Sequence, residues 1–479
     1  MDKSSVIYGN PMPAKVVKKA EKSKAKFIKK YGDDSQKEYR IAFKNIPTLD
    51  FIGTKNIVFT DQPHSEKFDP KALIVGNIRM GFGHYRISIA SASCAKALGY
   101  NPYWLDLASF DATGSKMIRE QNDMYSLASR ISQKSKLFNY FVWEPLNCEG
   151  FKKISYNAKD QKNSELLVPI YHDIPRDIPY VATHVWPAQA AVHAGMTKVV
   201  NAVPDNWPMG LHLAEGSLMT VQTQFAYAGY KTLRGFDKKP LKGMRDDQIK
   251  VVGCYVDHEL LVDLDKDNIA RRDRLENGKP LRFLMTVGGA GAGFDQYLAM
   301  VKHLLPYVEQ KKVALFINFG DHVDVYKKLS EKIPGLKAKE YFNQYEDVQK
   351  LRDELLKGDA EGVYAIYNKD IFQAVYSTNL LMRTSDLLIT KPSELVFYPI
   401  PKLFTKHIGG HEVYGGIFGR EYGDATVECP TIKEANEMLD YLINDPDLLT
   451  QMTHRIDELH EAGHYNGGYE AVKLAAARK

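Results

Sequence analysis

Gly81-Phe82-Gly83-His84-Tyr85-Arg86 sets two glycines and a histidine between an apolar run, KALIVGNI, and a helical one, ISIASASCAKALGY. Glycine lets a backbone approach a ligand, and a helix N-terminus favours negative charge by roughly 0.3–1 kcal/mol. A histidine there can serve as a general base near pH 7. A turn built for packing and a structural histidine fit the same letters. A second glycine turn, Gly288-Gly289-Ala290-Gly291-Ala292-Gly293, follows LRFLMTV. Its amides can cradle a diphosphate. It lacks the Lys-Ser/Thr of a triphosphate-binding loop, and only Asp321 follows the next strand, so nucleoside triphosphate hydrolysis and dinucleotide binding are disfavoured.

Two further segments end apolar runs in charge. Asp386-Leu-Leu-Ile-Thr390-Lys391-Pro392-Ser393-Glu394 offers a cation for phosphate and a carboxylate that can accept from two vicinal ribose hydroxyls, although a surface ion pair is the plainer use. Gly409-Gly410-His411-Glu412 follows PKLFTKH and carries a carboxylate suited to sugar hydroxyls. In the first half, His184 ends YVATHV, and Asp205 with Trp207 follows TKVVNAVP. An aspartate can deprotonate a hydroxyl and a tryptophan can stack on a sugar or lipid; turn chemistry at Pro204-Asp205 and core packing are the alternatives.

The elements that must hold these residues alternate. From Lys71, strand, glycine turn and helix repeat through YWLDLASF, PYVATHV, TKVVNAVP, SLMTVQT and QIKVVGCYV. A second β-α-β series runs through LRFLMTV, VALFINFGD, GVYAIYN, DLLITKP and PKLFTKH. Two doubly wound parallel sheets follow, with ligands expected at the C-terminal ends of the strands in a cleft that the two domains face. The expected division is a basic N-terminal arm and lead-in over 1–70, a Rossmann-like domain over 71–263 and a charged linker over 264–280. A second Rossmann-like domain over 281–430 carries an inserted helix near 335–358, and C-terminal helices fill 431–479.

The chain has 479 residues, 44% hydrophobic and 26% charged, which excludes disordered, collagen-like and coiled-coil classes and suits two or three domains. The net charge is +5, yet residues 1–31 hold nine lysines against Asp2 and Glu21, so the body is near neutral and a nucleic-acid binder is disfavoured. Cys94, Cys148, Cys254 and Cys429 are far apart, with no C-x-x-C pair, and read as reduced thiols with no metal site. No apolar leader precedes a cleavage site and no run approaches ~18 apolar residues, so a cytoplasmic protein is expected. Residues 14–30 place Val16, Val17, Ala20, Phe27 and Ile28 on one helix side among lysines. That helix can lie on an anionic membrane surface, making the protein peripheral on the cytosolic face, or can pack on the protein itself.

In their order, these segments resemble GT-B glycosyltransferases, in the branch of monogalactosyldiacylglycerol synthase, the processive diacylglycerol glucosyltransferases and the peptidoglycan lipid-intermediate N-acetylglucosaminyltransferase. GFGHYR resembles the G-G-G-H loop, THVWP the His-Pro segment, VPDNW the T-D-x-x-x-x-W region and VVGCYVD the G-x-P-V segment. TVGGAGAG resembles the donor glycine loop, DLLITKPSE the D-x-x-I-T-K-x-G motif and GGHE the P-G-Q-E segment, so that the likeness spans Lys71 to Glu428. It implies an α/β, GT-B-like fold and inverting transfer of a hexose from a UDP-sugar co-substrate to a lipid or small-molecule hydroxyl, with no bound cofactor and no metal. It also implies His84 as base, with Asp205 competing. Gly288, Gly289, Gly291, Gly293, Lys391, Ser393, Glu394, His411 and Glu412 fall on the donor side, and Gly81, Gly83, Arg86, His184 and Trp207 on the acceptor side. Departures are specific: Ser393-Glu394 follows Lys391-Pro392 about five residues early, and VYGG stands after Glu412 where an Asn belongs. A non-catalytic GT-B-like binder of a nucleotide or partner, and a UDP-sugar 2-epimerase, remain as alternatives.

Overall fold

A computed structural model describes residues 2–79, 81–288 and 293–478. They divide into two compact units, Met1–His258 with Asn466–Lys479, and Glu259–Tyr465.

The first unit begins with a short antiparallel pair, β1 (Val6–Ile7) and β2 (Asn10–Pro11). Its main sheet comprises β3 (Ile41–Asn45), β4 (Lys55–Phe59), β5 (Ala72–Asn77), β6 (Asn101–Asp106), β7 (Tyr180–Ala182), β8 (Val199–Ala202), β9 (Leu218–Val221) and β10 (Ile249–Val251). The order is β10-β9-β8-β7-β5-β6-β4-β3, parallel throughout except for β3 against β4. All six residues of β5 are buried, as a strand covered on both faces requires. Edge strand β3 is only half-buried and ends in exposed Lys44 and Asn45, which discourage further strand pairing.

The second unit holds β11 (Leu281–Thr286), β12 (Val313–Asn318), β13 (Ala338–Phe342), β14 (Gly362–Tyr367), β15 (Leu387–Thr390), β16 (Lys402–Thr405) and β17 (Ala425–Cys429). They form an all-parallel sheet in the order β13-β14-β12-β11-β15-β16-β17. In each sheet the winding reverses beside one strand: β5 lies between β6 and β7, and β11 between β12 and β15. Connections leave those neighbours on opposite sides, which opens a crevice at their C-terminal ends. Each unit is a Rossmann-like, doubly wound α/β domain, as the alternation of elements predicts, and two of them in succession agree with the GT-B-like fold that the motif resemblance implies.

Of the two readings of the basic N-terminal helix, packing on the protein itself is the one the structure shows: helix Ala14–Tyr31 buries Ala20 and Phe27, packs Val16, Ile28 and Tyr31 against the unit's cores, and pairs Lys24 with Glu165 (2.6 Å) and Lys30 with Glu120 (2.9 Å). Three other segments differ from expectation. Residues 264–280 are no linker. Helix Leu264–Glu276 buries Asp267, Asn268, Arg271, Arg274 and Leu275, with Arg271 donating to the Ser385 and Met382 carbonyls (both 2.8 Å) and Arg274 to Asp386 (2.7 Å). The helix expected near 335–358 is present as Tyr345–Leu355, but edge strand β13 precedes it and Tyr345, Val348, Leu351 and Leu355 are buried at helical spacing, so the region is a β-α element of the sheet instead of an insertion. Of the C-terminal helices, Gly467–Ala477 belongs to the first unit.

Cys94, Cys254 and Cys429 are free and buried; the Cys148 side chain lies outside the described part of the structure. Among the described residues, no helix is long and apolar enough to cross a membrane.

Candidate functional site

In the first unit the glycine turn is shorter than its letters suggest. Gly81 is the N-cap of helix Phe82–Ala97, at φ +83°, a conformation glycine adopts without the strain a Cβ imposes, so Gly83, His84 and Arg86 already belong to the helix. Arg86, expected to face the acceptor, is buried at 3% exposure. His84 Nδ1 lies 2.7 Å from the Thr183 carbonyl at the end of β7. A carbonyl only accepts, so Nδ1 carries a proton, and in the neutral imidazole Nε2 is the basic nitrogen.

The adjacent His184 has the opposite tautomer. It is the N-cap of helix Val185–His193, where its Nδ1 accepts from the Trp186 amide (3.2 Å), leaving the proton on Nε2. Burial, reinforced by the nearby His84 and His212 rings, drives its basicity far down, so it stays neutral. The His84 and His184 rings meet edge to face at 4.8 Å. His212 Nε2 stands 3.2 Å from Asp205 Oδ2, while its Nδ1 is 2.8 Å from the Tyr230 hydroxyl. That hydroxyl accepts from the Met209 amide, and because a carboxylate only accepts, His212 turns an Nε2–H toward Asp205. Three imidazoles and one carboxylate therefore gather at the first switch point. Trp207 is set beside them in sequence, with Lys152 Nζ 4.6 Å from its ring centroid and the Phe225 ring stacked at 6.3 Å.

The second unit assembles its charged residues at β11 and β15. Lys391, one residue beyond β15, pairs with Glu412, whose other oxygen accepts from the Ile408 amide at 2.8 Å. A Cβ on Gly288 would lie 3.1 Å from Lys391 Cε, which places the start of the glycine turn against this cation. Tyr297 donates to the Thr286 carbonyl (3.0 Å). Burial raises its phenol, and the negative fields of Glu412 and Glu394 add to the rise. Gly293 caps helix Phe294–Glu309 at φ +85°. Gly289 and Gly291 lie outside the described residues. The Lys391–Glu394 turn closes with the Ser393 amide on the Lys391 carbonyl at 2.8 Å. His411 stands beside Gly409, whose Cβ would meet its imidazole ring at 2.7 Å.

This turn is seated on helix Val413–Tyr422. A Cβ on Gly415 would approach the Pro392 carbonyl oxygen to 2.6 Å, so only glycine permits the contact. Gly415→Ala is expected to destabilise the second unit by about 1–3 kcal/mol through overpacking, read as a lower urea midpoint at unchanged slope.

Asp386 has a different role from its neighbours. It sits before β15, buried, accepting from Arg274 and from the Arg282 amide (2.8 Å), and holds the start of the strand rather than any ligand-facing end. Sequence reasoning missed Thr183, His212, Tyr297 and Ile408. Two contribute through the backbone, and His212 sits in PMGLHLAEG with no strand-end signal. Among the described residues, no group of three or more His, Cys, Asp or Glu side chains is placed to hold a metal ion.

Residues 6–232 match Domain of unknown function (DUF6937). Residues 244–476 match Domain of unknown function (DUF6938). No curated protein matches the chain. Among solved structures, it is similar to UDP-GlcNAc 2-epimerase from Neisseria meningitidis bound to UDP-GlcNAc, at 11% identity over 84% of this chain and 99% of that one, with a TM-score of 0.45. A glycosyltransferase from Rickettsia africae is 13% identical over 84% and 96% of the two chains (TM-score 0.39). A trehalose-6-phosphate synthase is 11% identical over 84% and 97% (TM-score 0.41).

Proposed function

We propose that the chain is an inverting hexosyltransferase that moves a hexose from a nucleotide sugar, a UDP-sugar, to an acceptor hydroxyl. The observation that carries this reading is the meeting of Gly288, Lys391 and Glu412 at the switch point of the second sheet, with Glu394 three residues beyond Lys391. A cation beside a glycine turn suits a diphosphate, and two carboxylates suit ribose and hexose hydroxyls. Lys391 is paired with Glu412. A diphosphate that takes over Lys391 releases Glu412 to accept from the sugar.

In the first unit His84 Nε2 takes the proton of the acceptor hydroxyl. The acceptor oxygen then bonds to the anomeric carbon as that carbon's bond to the diphosphate oxygen breaks, with inversion, and the electron pair leaves on UDP. Backbone amides and the dipole of helix Phe294–Glu309 offset the developing charge. Asp205, already engaged by His212, is the second candidate base. The motif resemblance to the monogalactosyldiacylglycerol synthase branch supports a lipid hydroxyl as acceptor.

A panel of UDP-, GDP-, dTDP- and ADP-sugars tests the reading. At 100 times Kd the preferred donor should stabilise the protein by about 2.7 kcal/mol, seen as a rise in Tm. Transfer of the labelled hexose, with inverted anomeric configuration in the product, is the expected turnover. No shift and no turnover with any donor would overturn the proposal. An epimerised nucleotide sugar as sole product would replace it with a 2-epimerase, and binding without turnover would replace it with a non-catalytic binder.

A further inference from the structure

The described residues expose seventeen large apolar side chains, and eight of them fall between Met124 and Leu146. Leu137 and Tyr140 are 72% exposed and Phe141 is 68% exposed, values for side chains that touch little of their own unit. They are not on a loose tail. Helix Thr113–Lys134 and the turns Asn139–Trp143 and Leu146–Gly150 are tied together by Trp143, buried at 3%, against the Tyr125 ring at 5.0 Å, and by Asn147 Nδ2 donating to the Trp143 carbonyl at 2.9 Å. Burying Trp143 leaves its neighbours Tyr140, Phe141 and Val142 outside.

Both ends of this apolar segment border the basic helix Ala14–Tyr31. At one end, Lys30 and Tyr31 share a cavity of about 640 Å³ with Lys116, Arg119, Glu120 and Met124. At the other, Val16 and Lys19 share one of about 300 Å³ with Gly150, Lys153 and Lys159. The basic helix carries eight lysines against Glu21, and residues 113–153 carry seven cations against four carboxylates. Those two segments therefore hold +10 in a chain whose total is +5. Because the apolar stripe of the basic helix is already packed inside the unit, its lysines have no hydrophobic anchor of their own. The anchor is the neighbouring segment.

We infer that this face docks on an anionic lipid bilayer, with Leu137, Tyr140 and Phe141 entering the headgroup–acyl boundary and the lysines of helix Ala14–Tyr31 meeting the headgroup charge. The charge selects this occupant over a second copy of the chain. An isologous dimer through the same patch would bring the two +7 helices toward each other, whereas an anionic membrane accepts the apolar and cationic parts together. The inference stands apart from the transferase reading, since vesicle binding is measured without turnover.

The test is co-sedimentation of the full chain with vesicles of phosphatidylcholine alone and of phosphatidylcholine with phosphatidylserine, at about 0.15 M salt. The expected result is binding to the phosphatidylserine vesicles only. The triple variant Leu137→Asp, Tyr140→Asp, Phe141→Asp should bind at least tenfold more weakly with unchanged Tm, because these side chains are exposed. A second variant, Lys15→Glu, Lys18→Glu, Lys22→Glu, should lose the preference for phosphatidylserine while keeping its fold. Failure of the unmodified protein to sediment, or sedimentation of the triple variant at the unmodified level, would overturn the inference. So would a dimer in light scattering that the triple variant converts to monomer without any vesicle binding.

Discussion

Lys391→Ala is expected to cost about 3–5 kcal/mol of stability at pH 7 and to abolish use of the nucleotide sugar. Lys391 and Glu412 are 20% and 8% exposed, and removing one member of a buried pair strands the other's charge. Burial by itself would raise the Glu412 carboxyl. The Lys391 ammonium outweighs it, helped by His411 and the Ile408 amide, and holds the group below its ordinary 4.5. A carboxyl whose folded value is depressed contributes stability that is fully present above its unfolded value and lost as pH falls through the folded one. The difference between the unmodified protein and Lys391→Ala should therefore be largest above about pH 4.5 and shrink in acid, as Glu412 is protonated in both. Urea unfolding at pH 7 and pH 4 measures this. An equal loss at both pH values would assign the effect to packing instead of charge. Lys391→Arg should recover part of the stability through its charge while transfer stays impaired, because a planar guanidinium does not replace a compact ammonium.

His84→Ala should lower kcat by about 10²–10⁴ with the donor KM unchanged, the range for loss of a positioned general base. The Thr183 carbonyl fixes a proton on Nδ1, which leaves Nε2 as the nitrogen that can take one, and truncation removes both. Asp205→Asn should cost less, since it removes charge from a carboxylate already engaged by His212. Single-turnover transfer with saturating donor separates these effects from binding. If Asp205→Asn instead loses more than His84→Ala, the base is Asp205 and the histidine a positioning residue.

Much of the fold was legible because a parallel sheet buried on both faces leaves local traces. ALIVGN, LRFLMT and VALFIN are predominantly apolar runs, and all eighteen of their residues are buried in β5, β11 and β12. The turns after β5, β7, β11, β15 and β16 were legible for the same reason, as glycines, histidines and charged residues directly after such a run. Charged segments misled. LDKDNIARRDRLE reads as solvated surface, yet Asp267, Arg271 and Arg274 recur at helical spacing because each finds a buried partner far along the chain. Charge alone does not show whether a partner exists, so burial of an ion pair is invisible until the fold supplies it. The basic helix Ala14–Tyr31 shows the converse. Its amphipathic pattern was plain, but not whether membrane or protein would cover the stripe.

The sequence by itself determined which residues end the strands of two Rossmann-like units, because strand, glycine turn and helix are each encoded within a few neighbouring positions. Only the tertiary structure decided which of those ends meet. His84 reaches Thr183 across 99 residues, and Lys391 reaches Gly288 and Glu412 from opposite sides in sequence. Those meetings follow from the order of strands in the sheet. That order is set by how whole layers bury their apolar faces together, a global balance that no local stretch of sequence contains.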